Sequence, residues 1–263
     1  MEKKRPARAE SARREELPPD DGTLLEGRNA LAEALKSGRR IDKVFLTDGD
    51  PDRSLLRLAA QAKDRGAVIV RVDRRKLDRM SVTHAHQGVI ALAAAHEYAE
   101  LDDVFRLAES RGEAPLIVLC DELTDPHNLG AIIRTAECAG AHGVVIPKRR
   151  SVGLTAAAVK ASAGAVEYVP VVRVANLINT MEELQKRGVW IYGTAADAET
   201  SLYDADLRGP CAVVIGSEGS GMSRLVAEKC DFKISIPMKG RISSLNASAA
   251  AAILLYEAVR KRA

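Results

Sequence analysis

Leu116-Ile-Val-Leu-Cys120, then Asp125-Pro-His-Asn-Leu-Gly-Ala-Ile-Ile-Arg134, then Val144-Val-Ile146 form the stretch from which the fold is read. Five consecutive apolar residues bounded by turn formers read as a strand buried on both faces. The Asp-Pro-His-Asn turn opens a helix over 129–138 that stops at Gly140, with Asn128 as a candidate N-cap. A second apolar run begins at 144. Strand, helix and strand in this order predict a parallel pair joined by a crossover helix.

The pattern continues outward. Residues 154–160 and 181–186 read as helices, and 166–171, 189–192, 212–215 and 233–236 as extended segments. Residues 244–260 read as a long, alanine-rich terminal helix. This predicts an α/β fold with a mainly parallel sheet covered on both faces. Upstream, helices are expected at 29–36, 55–63 and 74–80, and strands at 41–46, 67–72 and 87–93. The chain therefore divides into a basic tail over 1–20, a small α/β layer over 21–96, a partly helical linker over 97–114 and a larger α/β unit over 115–263. The tail holds six basic and two acidic residues up to Arg14.

Composition agrees with two folded units. The 263 residues are 46% hydrophobic and 29% charged, which excludes a mostly disordered chain. The formal net charge of +3 permits a nucleic-acid partner without demanding one. Aromatic residues are only 3%, so recognition by several stacking rings is poorly supplied. Cys120, Cys138, Cys211 and Cys230 form no CxxC pair, which argues against zinc ribbons and iron–sulfur clusters. Their apolar neighbours read as core thiols of a reducing, cytoplasmic compartment. Neither a membrane-length apolar stretch nor a signal-like apolar segment is present, so no membrane partner is expected. The histidines show no HExxH spacing, and His84-Ala-His86 reads as a hydrogen-bonding pair; no metal is expected.

Loops that follow the strands of a parallel sheet are the expected ligand site. Three are unusually polar or glycine-rich: 125–134, Gly216-Ser-Glu-Gly-Ser-Gly-Met-Ser223, and Pro237-Met-Lys-Gly-Arg-Ile-Ser-Ser-Leu-Asn-Ala-Ser248. The glycine loop matches neither GxGxxG nor a P-loop, which disfavours a nicotinamide oxidoreductase. Glu218 at its centre would repel a pyrophosphate, so a neutral or cationic cofactor fits better. Arg134 either snorkels to solvent or holds a phosphate or carboxylate. The third loop offers more hydrogen-bonding groups than one helix cap uses; a ribose, an amide or a cofactor edge would take the surplus. No GxSxG occurs, so an α/β-hydrolase is not supported.

Taken together and in order, Asn128-Leu-Gly-Ala-Ile-Ile-Arg-Thr-Ala136, Val213-Val-Ile-Gly-Ser-Glu-Gly-Ser-Gly-Met222, and Ile236-Pro-Met with Ser243-Ser-Leu-Asn-Ala-Ser248 resemble the three motifs of the SPOUT class of methyltransferases. The likeness is to its SpoU/TrmH family of RNA ribose 2'-O-methyltransferases, in the branch acting on a guanosine of bacterial 23S rRNA. It spans essentially all of 116–260. Upstream, Glu26-Gly-Arg-Asn-Ala30 and His86-Gln-Gly88 look like the family's RNA-binding domain. The resemblance implies a C-terminal SPOUT domain with a deep trefoil knot, a rare exception to unknotted topology. It implies a preceding L30e-like α/β domain that grips RNA, and a homodimer through the knotted domain.

The resemblance also implies S-adenosyl-L-methionine as cofactor, held at Thr194, Gly216, Ile236 and Leu245. Asn128, Arg134, Glu218, Ser244 and Asn246 become the candidate catalytic set. Glu218 would orient Arg134 or the substrate, and the two asparagines would hold the ribose and the motif loops together. Arg134 is the family's proposed base; because arginine stays protonated, a phosphate clamp that stabilises a developing alkoxide is the alternative. RNA contacts are expected from Arg28, Lys36, Arg39, Arg40, Lys148, Arg149 and Arg150. The implied substrate is 23S rRNA, at a guanosine of the peptidyl-transferase P loop, or a 50S assembly intermediate. The alternatives are a tRNA or other rRNA site, and a noncatalytic RNA-binding assembly factor.

Overall fold

The computed structural model describes residues 24–263 except 37, 50, 51, 82, 95, 220 and 243. The expected tail over 1–20 lies outside the described residues, as do Ser220 and Ser243 of the motifs.

The N-terminal unit runs β1 Leu24–Glu26, α1 Gly27–Lys36, β2 Ile41–Thr47, α2 Arg53–Asp64, β3 Val68–Val72, α3 Arg74–Met80 and β4 Val89–Ala93. Its four strands are ordered β1-β4-β2-β3, with β2 and β3 parallel and the other pairs antiparallel. Asp52 and Asp73 start α2 and α3 by accepting the Leu55 and Lys76 backbone N–H groups at 3.0 and 2.7 Å. Leu31, Leu55, Ala62, Val44 and Leu46 close one face of the sheet, and Phe45, Leu77 and Ile90 close the other. His86 is buried; its Nδ1 accepts the Gly88 N–H at 3.0 Å and its Nε2 lies 2.9 Å from Asp78.

The C-terminal part runs α4 Leu101–Arg111, β5 Leu116–Cys120, α5 Pro126–Cys138, β6 Gly143–Pro147, α6 Ala156–Ala161, β7 Val171–Val174, α7 Leu177–Lys186, β8 Trp190–Thr194, β9 Thr200–Ser201, β10 Cys211–Ile215, α8 Arg224–Lys229, β11 Phe232–Ser235 and α9 Ala247–Arg262. Its seven strands are ordered β7-β6-β5-β10-β8-β11-β9, and every pair is parallel. The central strands β5 and β10 are wholly buried and alternate between two cores. Leu116, Val118, Cys120, Cys211, Val213 and Ile215 face the core shared with α5 and α9. Ile117, Leu119, Ala212 and Val214 face the core shared with α4, α7 and α8. Helix α4 occupies the stretch expected as a linker, and its Val104 is fully buried in that second core.

Four local expectations are corrected. Helix α5 begins at Pro126, because Asp125 rather than Asn128 caps it by accepting the His127 N–H at 2.8 Å. The apolar run 166–171 is mostly not a strand. A 3-10 turn occupies Ala165–Glu167 after Gly164 (φ 89°), and its apolar side chains pack in the core. Strand β7 starts only at Val171. The terminal helix starts at Ala247, because Asn246 turns its side chain onto the N–H groups of Ser248 and Ala249. Finally, Cys120 and Cys211 are core thiols, but Cys138 is exposed and Cys230 half-buried. Burial pushes the Cys120 and Cys230 thiols up to about 12.

The two units are joined by a buried charged contact. Asp42 of β2 pairs with Arg173 of β7, and both side chains are buried. The Tyr98 hydroxyl donates to Asp42 Oδ2 at 2.6 Å and accepts the Leu154 N–H at 2.8 Å. Gly153 lies so close that an added Cβ would sit 2.3 Å from Asp42 Oδ2.

Candidate active site

The carboxyl ends of the parallel strands lie side by side, and the three motif loops spring from that edge. Asp121 follows β5, Gly216 follows β10, Thr194 ends β8 and Ile236 follows β11. These four strands are consecutive neighbours in the sheet. With about 4.8 Å between strands, the row from Asp121 to Ile236 spans roughly 15 Å.

Three side chains from three separate segments meet at this edge. Asn128 of α5 donates to Glu218 Oε1 at 2.7 Å. Asn246, ahead of α9, donates to the same oxygen at 2.7 Å and to Asn128 Oδ1 at 2.9 Å. Asn128 is buried, whereas Glu218 and Asn246 are exposed. A carboxylate that accepts two amide N–H groups through one oxygen is held in one orientation. Asn246 also caps α9, with its Oδ1 2.6 Å from the Ser248 hydroxyl. One residue thus joins a helix start to the network.

A fourth residue, Asp121, escaped the sequence reading. It is buried, and its Oδ2 accepts the Ser223 N–H at 2.6 Å, fastening the end of the glycine loop to β5. Its only sequence signal was a carboxylate directly after a fully apolar strand. The glycine loop also folds back on itself, with Ser217 and Gly221 exchanging two backbone bonds of 2.9 Å. A Cβ on Gly216 would stand 2.3 Å from the Gly221 carbonyl carbon, so no larger residue fits there without moving the loop. Gly130 plays the same part between helices: a Cβ would lie 2.4 Å from the Ala158 carbonyl oxygen of α6.

The remaining predicted residues divide. Thr194 is half-buried and its hydroxyl donates to the Val214 carbonyl at 2.9 Å, so it ties β8 to β10. Ile236 and Leu245 are half-buried. Among the described residues, the backbone groups of Gly216, Ile236 and Leu245 make no backbone hydrogen bonds. Ser244 is exposed. Arg134 is exposed on α5, and its side chain forms no ion pair or hydrogen bond with Glu218 or another described residue. At 100° per residue it lies about 120° around the helix from Asn128, which explains why the network does not include it.

The basic residues are scattered over several surfaces. Arg28 pairs with Asp52, Lys36 with Glu33 at 2.7 Å, and Arg150 with Glu122 at 2.9 Å. Arg40 lies over the Tyr98 ring, 5.4 Å from its centroid, and Arg39 is exposed. Lys148 and Arg149 line a cleft between the two units. Among the described residues no group of His, Cys, Asp or Glu could hold a metal ion, and no helix is long and apolar enough to cross a membrane.

Comparison with known proteins settles the family. The model of the SpoU rRNA methylase family matches residues 115–256, and that of the RNA 2'-O ribose methyltransferase substrate-binding domain matches 24–99. The chain belongs to the SpoU rRNA methylase family. It has that family's two-domain α/β architecture, with a SPOUT domain following the small domain. A Bacillus subtilis protein named for the TrmH family of tRNA/rRNA methyltransferases, YacO, is 52% identical over 90% of this chain and 94% of its own. The SpoU methyltransferase AviRb from Streptomyces viridochromogenes, solved with its cofactor AdoMet, is similar at 27% identity and a TM-score of 0.58. That match covers 91% of this chain and 90% of AviRb. A TrmH/SpoU tRNA modifying enzyme from A. aeolicus is 31% identical with a TM-score of 0.52, over 61% of this chain and 83% of its own.

Proposed function

We propose that this protein transfers a methyl group from S-adenosyl-L-methionine to a ribose 2'-hydroxyl of a folded tRNA or rRNA. The observation that carries the reading is the Asn128–Glu218–Asn246 network, which joins all three motif segments at the carboxyl edge of the sheet. The open backbone groups of Gly216, Ile236 and Leu245 suit a cofactor read through amides and carbonyls. Bound there, S-adenosyl-L-methionine supplies a methyl group already activated by its sulfonium. The ribose 2'-oxygen would gain the methyl carbon as the carbon–sulfur bond breaks to leave a neutral thioether, and the 2'-hydroxyl proton would pass to solvent.

The chain's own contribution is alignment and charge. A guanidinium is a poor base, so Arg134 acts as a clamp on the neighbouring phosphate and stabilises the developing alkoxide rather than taking the proton. Asn128 and Asn246 fix the ribose against the loops, with Ser244 assisting, and the network holds Glu218 toward the substrate. The backbone at Thr194 would border the bound cofactor.

Ribosomal RNA is the favoured substrate class, because the tRNA modifying enzyme matches only 61% of this chain, whereas an rRNA methyltransferase from Sinorhizobium meliloti matches 90% of it. The finer reading is a guanosine ribose in the peptidyl-transferase P loop of 23S rRNA, presented as naked rRNA or in a 50S assembly intermediate. The protein works as a homodimer through a knotted SPOUT domain. Exposed Met238 and Ile242 on the third motif loop and Tyr256 on α9 give that contact apolar area.

Labelled methyl transfer to 23S rRNA and to bulk tRNA, followed by nucleotide-resolution mapping of 2'-O-methylation, tests the reading. One methylated ribose in 23S rRNA is the expected result. A methylated tRNA would keep the chemistry and reject the favoured substrate. Cofactor binding with no transfer to either RNA would count against both, and no cofactor binding would leave a noncatalytic RNA-binding factor.

A further inference from the structure

The cleft between the two units has a volume of about 540 Å³ and none of its lining side chains is acidic. Four are basic: Lys63 and Arg71 from the N-terminal unit, Lys148 and Arg149 from the loop after β6. Lys63 and Arg71 are exposed, and neither forms an ion pair among the described residues. Lys148 reaches across the boundary. Its Nζ stands 2.9 Å from the point a Cβ would occupy on Gly66, in the turn between α2 and β3. Gly66 also has φ of 92°, so the absence of a side chain there both permits the turn and leaves room for the ammonium group. Burial, then the nearby Arg173 and Arg40, hold Lys148 below the ordinary lysine range.

The position of the cleft matters as much as its charge. Lys148 follows β6 and Ala175, which also lines the cleft, follows β7. Both leave the sheet at the same carboxyl edge as Asp121 and Gly216, and β6 is two strands from β10. That places the cation cluster roughly 10 Å along the edge from the glycine loop. A strand of RNA entering the motif loops is long enough to cover both. Leu56 and the aliphatic stems of the cations give the ribose faces apolar contact.

We propose that this cleft is a phosphate groove for the substrate RNA: Lys63 and Arg71 from one domain and Lys148 and Arg149 from the other neutralise one sugar-phosphate strand beside the methylation site. The proposal rests on the RNA-methylating reading for its choice of polyanion, but it makes a separate claim about where the backbone runs. Lys63 and Arg71 carry the new content, since neither belongs to a motif.

The test uses the full-length chain and its Lys63→Ala/Arg71→Ala variant. Binding of 23S rRNA and of bulk tRNA is measured across a salt series, alongside methyl-transfer kinetics. The slope of log affinity against log salt should fall by roughly 0.7 for each cation removed, and affinity should weaken for both RNAs alike. KM for RNA should rise several-fold with kcat unchanged. Lys186→Ala, on α7 and outside the cleft, should leave both slope and KM as they were. An unchanged slope with normal methylation would overturn the groove and leave the enzymatic reading standing. A reduced slope in a protein that binds RNA but transfers no methyl group would support the groove and count against the enzyme. Failure of the wild-type protein to bind either RNA would overturn both.

Discussion

At the scale of single residues, the site separates side chains that hold structure from those left free to act. Asn128, Glu218, Asn246 and Asp121 are each hydrogen-bonded to one another or to backbone. Arg134 is exposed and without a described partner. Arg134→Ala should therefore leave the melting temperature unchanged and the cofactor affinity within about twofold, while kcat falls by ~10²–10³, the cost of losing one group that stabilises developing charge. Calorimetric titration with S-adenosyl-L-methionine beside a methyl-transfer assay measures both; equal losses of affinity and rate would refute the assignment. Asn246→Ala removes a helix cap worth ~1 kcal/mol as well as two network bonds. Its unfolding free energy should fall by about that amount and its kcat by clearly more than tenfold. A variant that loses its cooperative transition would show Asn246 to be mainly structural. The polar residues of the motifs were legible in the sequence, because four polar groups in six positions exceed what a cap needs. Asp121 was not legible: a lone carboxylate after a strand has no pattern until its partner, 102 positions later, is seen.

Elements were mostly legible, and their ends were not. The wholly apolar β5 and β10 announced a sheet covered on both faces, and period-two alternation put their side chains into two cores. The starts of α5 and α9 shifted because caps depend on which polar side chain turns back onto free N–H groups. The run 166–171 misled because apolar residues bury equally well in a 3-10 turn. One element junction should also respond to pH. His142, before β6, is buried; its Nδ1 accepts the Leu116 N–H at 3.0 Å and its Nε2 donates to Glu113 at 3.0 Å. A proton on Nδ1 would face that N–H, and burial already holds the pKa below the ordinary histidine value. The unfolded chain therefore binds the proton more readily, so this contribution is complete above about pH 6.5 and declines as pH falls below it. Urea denaturation at pH 7.5 and 5.5 should show a stability loss on acidification that is smaller in His142→Asn. An identical pH slope in the variant would reject the role.

At the scale of the whole molecule, a buried charged contact joins the two units. Asp42, Arg173 and Tyr98 come from three distant segments and are buried together. Removing one member of a buried pair leaves its partner without compensation. Asp42→Ala should cost ~3–5 kcal/mol, visible as a lowered urea midpoint and as earlier proteolytic cutting between the units. A change within about 0.5 kcal/mol would mean the contact forms without fixing the domains. None of this was visible beforehand: Asp42 stood in a strand-like run, where an acidic residue reads as solvent-facing. The charges of the proposed groove were likewise only partly anticipated. Lys148 and Arg149 drew notice as a basic run, but Arg28, Lys36 and Arg150 are paired with carboxylates, and Lys63 and Arg71 entered only through the cleft.

Local chemistry in this chain was therefore set by local sequence. Hydrophobic period, turn formers and three short polar motifs specify an α/β chain, its two units and the loops that form the candidate site, since each signal acts over a few residues. Long-range geometry was not. The strand order lines up Asp121, Gly216, Thr194 and Ile236, while the meeting of Asn128 with Glu218 and Asn246 and the pairing of Asp42 with Arg173 bring together residues 28 to 131 positions apart. Such contacts form only when packing of the cores closes the long loops between them, and no periodicity in the chain records which distant side chains that closure will bring face to face.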